Sequence, residues 1–326
     1  MSESKTKAAA SRGGDRQLWK WSAGAAVVGA ALGGAALVNR ANAARAERDN
    51  PPLGKFMTVD GVKLHYLERG EGDPLVLLHG NGTMIEDWIV AGILDDLANT
   101  HRVIAFDRPG FGHSERPRSR IWTPAAQAAL IVKALKRLKV EKPVVVGHSF
   151  GTMVAAAIAL DHKESVSKLV LIGGYFFPSA RADAVLMAPP AIPGVGDVIR
   201  YTVSPLLGAA MLPKLNDKMF DPAPVPERWT EEFPFAMALR PSQIRAESAE
   251  AAIMVPAAAA MAPRLAKIDV PVTIIAGEGD AVVTMEAQSA RLQEVLPNSR
   301  LKSVSGSGHM VHHSAKDEVL AAIRSA

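Results

Sequence analysis

Three residues of this chain, Ser149, Asp280 and His309, are of the types that together perform acyl transfer, and each stands in or beside a glycine-rich turn after a short apolar run. Ser149 lies in Gly147-His148-Ser149-Phe150-Gly151, directly after Val144-Val145-Val146 and ahead of an alanine-rich helical pattern. That context predicts a sharp strand-to-helix turn lifting the hydroxyl above the end of a sheet. Glycines flank it because a Cβ there would press on the neighbouring strand and helix. A serine hydroxyl is a poor nucleophile near neutral pH until a base takes its proton, and the base needs an acid to orient it. His309, in Ser305-Gly306-Ser307-Gly308-His309, is the candidate base. Asp280, in Ala276-Gly277-Glu278-Gly279-Asp280, is the candidate acid; Glu278 is its rival, and Asp280 is preferred because it closes the Gly-x-x-Asp turn.

The same chemistry needs N–H donors aimed at the oxygen that becomes negative, each worth about 10²–10³ in rate. The backbone N–H of Phe150 and that of Asn81, in the loop His79-Gly80-Asn81-Gly82, are the expected pair. His79 and Gly80, with Tyr175 and Phe176 further on, are expected beside substrate. His309, His312 and His313 invite a metal reading, but no matched carboxylate spacing accompanies them and His309 is required as a base, so no metal is expected. His148 reads as a packing or surface residue, and Asp107 as an acceptor for loop N–H groups.

The elements that must position these residues follow in order. Phe56–Val59 and Val62–Leu67, joined at Asp60-Gly61, read as a β-hairpin. Pro74–Leu78, Arg102–Phe106 and Pro143–Val146 read as short strands, Lys168–Ile172, Val270–Ala276 and Arg300–Val304 are three more β-rich runs, and Thr123–Leu138 carries helical spacing. Strands alternating with helices predict an α/β class, a doubly wound and mostly parallel sheet, with core residues 55–173 and 264–326. Residues 174–263 differ in texture: they are rich in Pro, Met and Ala, with helix breakers at Pro189, Pro190, Pro193, Pro205 and Pro213. They are expected to form a helical lid inserted late in the sheet, its Met and Phe residues (among them Met187, Met211, Phe220 and Phe233) mostly core.

The chain has 326 residues, 48% of them hydrophobic, and no cysteine, which excludes disulfides, a thiol nucleophile and thiolate metal sites. Its basic residues are uneven. Residues 1–48 hold eight Lys/Arg against three acidic residues, a net +5, which leaves −1 for the rest. A near-neutral body with a basic tail argues against nucleic acid as a partner and for a membrane surface. Residues 1–18 read as a polar tail, 19–40 as a membrane anchor or signal segment, and 41–54 as a linker. Trp21–Asn39 is a 19-residue stretch without charge, with Trp19 and Trp21 where interfacial aromatics stand and Gly29-x-x-x-Gly33 for close helix approach. As a helix it reaches about 28 Å, close to the roughly 30 Å of a hydrocarbon core. Three readings stand: a retained anchor, with the slight excess of basic residues before it placing the body on the outer face; a signal peptide cleaved at Ala41-Asn42-Ala43, releasing a secreted protein; or a soluble Ala/Gly helix.

From about Phe56 onward the chain resembles the α/β-hydrolase fold superfamily. The resemblance rests on His79-Gly80, Asp107-x-x-Gly110-x-Gly112-x-Ser114, Gly147-x-Ser149-x-Gly151, Gly277-x-x-Asp280 and Gly308-His309, in the family's order. Dehalogenases and epoxide hydrolases of that superfamily carry aspartate where Ser149 stands, so the resemblance points to the serine-nucleophile, esterase- and lipase-like branch. It implies carboxylic-ester, thioester or carbon–carbon bond hydrolysis without metal or organic cofactor. With some Met and Phe residues of 174–263 facing the pocket, the expectation is a serine hydrolase cleaving a carboxylic ester or thioester of an apolar acyl substrate. The alternatives on this scaffold are carbon–carbon bond hydrolysis, cofactor-free haloperoxidase or perhydrolase chemistry, or a non-catalytic ligand-binding member.

Overall fold

A computed structural model describes the backbone of residues 3–325 and the side chains of residues 24–325. Strands β1 (Lys55–Val59) and β2 (Val62–Arg69) form the hairpin. Its turn holds Asp60 at φ 49° and Gly61 at φ 76°, the two left-handed positions that match the twist of the flanking strands. β3 (Asp73–Leu78), β4 (His101–Phe106), β5 (Val144–His148), β6 (Lys168–Ile172), β7 (Val272–Gly277) and β8 (Ser299–Val304) complete one sheet, in the order β1-β2-β4-β3-β5-β6-β7-β8. The pairings β1–β2 and β2–β4 are antiparallel, and all those from β4 onward are parallel. The chain is therefore of the α/β class with a mostly parallel sheet.

Period-two alternation distributes the strand side chains between two cores. Val76, Leu78, Val145, Leu171 and Ile274 pack on one face with the helices Pro124–Arg137 and Phe150–Asp161. Leu75, Leu77, Val146, Ile172 and Ile275 pack on the other with the C-terminal helix Lys316–Arg324. Because β3, β5, β7 and β8 run in parallel, the loops that follow them gather at one edge of the sheet, where open α/β sheets bind ligands.

Between β6 and β7 the described residues form helices and no strand, the longest being Ser204–Phe220 and Pro241–Met261. Phe220, Trp229, Phe233 and Met237 from this insertion build a third core with Met84 and Met310, the latter beside His309. Met187 and Met211, expected in packing, are instead exposed.

One helix, Glu3–Asp49, runs through the polar tail, the apolar run and most of the stretch read as a linker. Residues 41–49 are helical because the alanine-rich sequence contains no breaker before Pro51, which disfavours helix at the residue preceding it. Asn39 Nδ2 donates to the carbonyls of Tyr201 and Thr202, 2.9 Å each, and Glu47 pairs with Arg240 at 2.7 Å, so the helix docks on the insertion. The side chains of residues 1–18 and of Trp19 and Trp21 lie outside the described residues.

Candidate active site

Ser149 is the residue between β5 and the helix Phe150–Asp161, held at φ 51° and ψ −120°. A non-glycine residue there is strained, and the strain is tolerated because the surroundings leave no alternative. A Cβ at Gly147 would lie 2.6 Å from the carbonyl oxygen of Gly151, and one at Gly151 would lie 2.3 Å from that of Leu78. Both positions admit only glycine.

The loops after β7 and β8 bring the other two residues to this point. Ser149 Oγ lies 3.0 Å from His309 Nε2, and His309 Nδ1 lies 2.8 Å from Asp280 Oδ2. Asp280 Oδ1 accepts the N–H groups of Val282 and Val283 at 2.8 and 2.7 Å, which fixes the carboxylate. With Nδ1–H donated to Asp280, Nε2 is left to accept the serine proton. Asp280 and His309 are 5% and 4% exposed, which shields this line of hydrogen bonds from water. Glu278, the rival acid, is exposed.

The loop after β3 passes over the serine: a Cβ at Gly80 would lie 3.2 Å from Ser149 Cβ. Its peptide planes are set by Arg108, which is fully buried. Arg108 Nε donates to the His79 carbonyl and Nη2 to the Gly80 carbonyl, both at 2.8 Å. In a trans peptide the C=O and the following N–H point opposite ways, so a Gly80 carbonyl turned to Arg108 turns the Asn81 N–H away from Arg108. Glu250 completes the clamp with bonds of 2.6 and 3.0 Å to Arg108. Phe150 opens the helix after Ser149, and its N–H is one of the donors that a helix start leaves without an intrahelical acceptor.

Of the four residues expected beside substrate, Gly80 lies against Ser149, and His79, Tyr175 and Phe176 are buried. His79 is fully buried, its Nδ1 on the Gly80 carbonyl and its Nε2 accepting the Arg108 N–H, so it has no polar atom to offer a ligand. Burial, then the Arg108 charge, lowers its pKa to about 3, which keeps the ring neutral. Tyr175 and Phe176 are buried in the larger core, Tyr175 bonded to Ser179 and the Phe176 N–H to Gln288.

A second cluster, which the sequence reading did not assemble, lies behind His309. Asp87 Oδ1 is 2.9 Å from His312 Nε2 and 2.8 Å from His313 Nε2. His148 lies between His309 and His312, its ring tilted by 48° and 50° to theirs with centroids 5.0 and 4.3 Å away, and its Nε2 lies 3.2 Å from the His309 carbonyl. Burial works against the Asp87 charge, but His312 and His313 outweigh it and hold the carboxyl well below its usual range. Burial, with His312 and His309 as neighbours, holds the His148 pKa well below 6.5. Asp87, His312 and His313 offer ligand atoms within 4.8 Å of one another, as a metal site would, but their separations are those of N–H···O bonds. His309 belongs to the other cluster. Asp107 accepts from the N–H groups of Ile85 and His113, at 3.0 and 2.9 Å, as expected.

A model of the alpha/beta hydrolase fold family matches residues 73–316. Among curated relatives, a 2-hydroxymuconate semialdehyde hydrolase of Pseudomonas sp. (strain CF600) is 35% identical over 136 residues, 41% of this chain and 48% of that protein. The matched stretch thus spans about half the length of that relative. Among solved structures, Est816, described as an N-acyl homoserine lactone degrading enzyme, is 25% identical with a TM-score of 0.60, covering 83% of this chain and 99% of its own. A membrane phospholipase A is 23% identical with a TM-score of 0.63, covering 96% of this chain and 98% of its own, a likeness of fold.

Proposed function

We propose a reaction from one established premise: the chain belongs to the alpha/beta hydrolase fold family, and is a hydrolase of that fold. Our reading is a serine hydrolase acting on a carboxylic ester or thioester of an apolar acyl substrate. The observation that carries it is the unbroken line Asp280 Oδ2, His309 Nδ1, His309 Nε2, Ser149 Oγ, with steps of 2.8 and 3.0 Å across the ring. In this reading Ser149 Oγ attacks the carbonyl carbon while His309 Nε2 takes its proton, and Asp280 stabilises the imidazolium without accepting a proton itself. The N–H groups of Phe150 and Asn81 bind the oxyanion. Collapse of the tetrahedral intermediate expels the alcohol or thiol, which leaves with the proton from His309. A water then gives its proton to His309, attacks the acyl-enzyme, and frees the acid and Ser149.

The test is Ser149→Ala, assayed on p-nitrophenyl esters of increasing acyl length. Turnover falls by about 10⁶ with the circular dichroism spectrum unchanged; turnover at the parental level by the purified variant refutes the nucleophile. A second reading, carbon–carbon bond hydrolysis, is favoured by the 35% identical semialdehyde hydrolase. Turnover of a vinylogous diketone with none of simple esters would select it.

We also propose that the apolar helix Gly24–Asp49, whose mean hydropathy reaches 1.3, is a retained single anchor with the body on the outer face. The cleavage-like Ala41-Asn42-Ala43 lies inside a continuous helix bonded to the body on both sides, at Asn39 and Glu47, which supports retention over cleavage. Fractionation of the full chain tests this: release by alkaline carbonate would refute it.

A further inference from the structure

The apolar surface of this molecule is concentrated. Among the described residues nineteen large hydrophobic side chains are exposed: twelve lie between Val185 and Leu215, four on the N-terminal helix, and three elsewhere. Val195 and Val198 share one side of the helix Val195–Thr202, and Leu207, Met211 and Leu215 one side of Ser204–Phe220. Leu186 and Ile192, 82% and 53% exposed, extend the patch. Between Ala184 and Pro213 only Asp197 and Arg200 carry charge, and they pair with each other, Asp197 also with Arg118. Ala182–Ala191 and Val195–Thr202 together have the length and apolarity of a membrane span, yet meet at 99°. Two short helices bent in this way suit the plane of a leaflet rather than a crossing.

The N-terminal helix borders this face. Asn39 closes the charge-free run of the N-terminal helix, and its amide is bonded to the last carbonyls of Val195–Thr202. The charge-free run of the helix therefore ends beside the apolar patch, hydrogen-bonded to it. We propose that the face formed by residues 185–215 lies in the lipid leaflet at which the N-terminal helix ends, so that the insertion is a second, monotopic membrane contact, continuous with the anchor. This rests on the anchor reading above. It implies that the substrate of the Ser149 site arrives from the bilayer.

The absence of cysteine makes the test clean. Full-length protein, one chain per lipid nanodisc, carries a bimane label on Val198→Cys or Leu206→Cys in the patch, Val28→Cys in the anchor, or Lys267→Cys on the opposite end of the sheet. Nitroxide-labelled lipid is expected to quench the two patch labels and the anchor label about twofold or more, as burial at the headgroup–acyl boundary requires, and to leave the Lys267 label bright. A quenched anchor label with unquenched patch labels overturns this inference and keeps the anchor. Quenching of neither overturns both. Patch labels shielded from aqueous iodide but not reached by lipid nitroxide would mean that protein, not lipid, covers the face, and would also overturn it. As a second measure, Leu206→Glu with Leu207→Glu is expected to lower turnover of a bilayer-dissolved long-chain ester roughly tenfold and to leave a short soluble ester unchanged; equal loss on both contradicts the proposal.

Discussion

Two of the buried carboxylate–imidazole clusters in this molecule sit side by side, and only one of the two has the makings of a catalyst. Asp280 engages a single histidine through Nδ1, which leaves Nε2 facing a hydroxyl on a strained turn. Asp87 engages two histidines through Nε2, and among the described residues no hydroxyl is bonded to the far nitrogen, Nδ1, of either ring. Both aspartates are buried and both touch histidine, so residue types alone do not separate them. The separation comes from topology: Ser149, Asp280 and His309 stand after parallel strands that end at one edge, whereas Asp87 lies inside the helix Ile85–Val90. A carboxylate–histidine pair becomes a relay only when its far nitrogen is left for a nucleophile.

Substituting the two aspartates alike tests this contrast most strongly. Asp280→Asn is expected to lower kcat by about 10⁴, because the wrong tautomer is then presented to Ser149. Asp87→Asn is expected to leave kcat of the folded protein unchanged and to cost about 1–3 kcal/mol of stability through weakened buried bonds. Steady-state kinetics beside urea melts reads both, and equal kinetic losses would erase the distinction.

The loop over Ser149 offers the next test. Arg108→Met leaves the Glu250 carboxylate buried without its main partner, at a cost of about 3–5 kcal/mol. It also frees the Gly80 carbonyl, so kcat should fall in the protein that remains folded while KM for short esters holds. A kcat equal to that of the parent would show that the clamp serves stability alone.

The smallest effect concerns a carboxyl that belongs to neither cluster. Burial, then the Glu250 charge, raises Glu247 from 4.5 to about 7. The folded protein then binds this proton more tightly than the unfolded chain, so its stabilising effect is present below about pH 4.5 and is lost as pH rises through about 7. Glu247→Gln should flatten the decline of Tm across that window, and an unchanged slope would remove Glu247 from the account.

The sheet was legible because its strands are short apolar runs closed by glycine turns, and the Asp60-Gly61 hairpin because its turn needs left-handed residues. Ser149, Asp280 and His309 were legible for the same reason: each is announced by its own local turn. Arg108 with Glu250 is different, 142 residues apart with nothing local to mark either. Asp87 with His312 is separated by 225 residues, and the paired histidines after Gly308-His309 were the one available sign. The inward turn of His79 was not legible, because a histidine before glycine in a loop gives no hint that its ring packs onto Arg108. The extension of the N-terminal helix to Asp49 follows from alanine content, which was readable, and from docking on the insertion, which was not.

The central claim is that Ser149 is an activated nucleophile. The most direct measurement is fluorophosphonate labelling of the full-length protein followed by peptide mass spectrometry. One stoichiometric adduct is expected on Ser149, abolished in His309→Ala; a folded protein that stays unlabelled, or carries the adduct on another residue, would contradict the assignment.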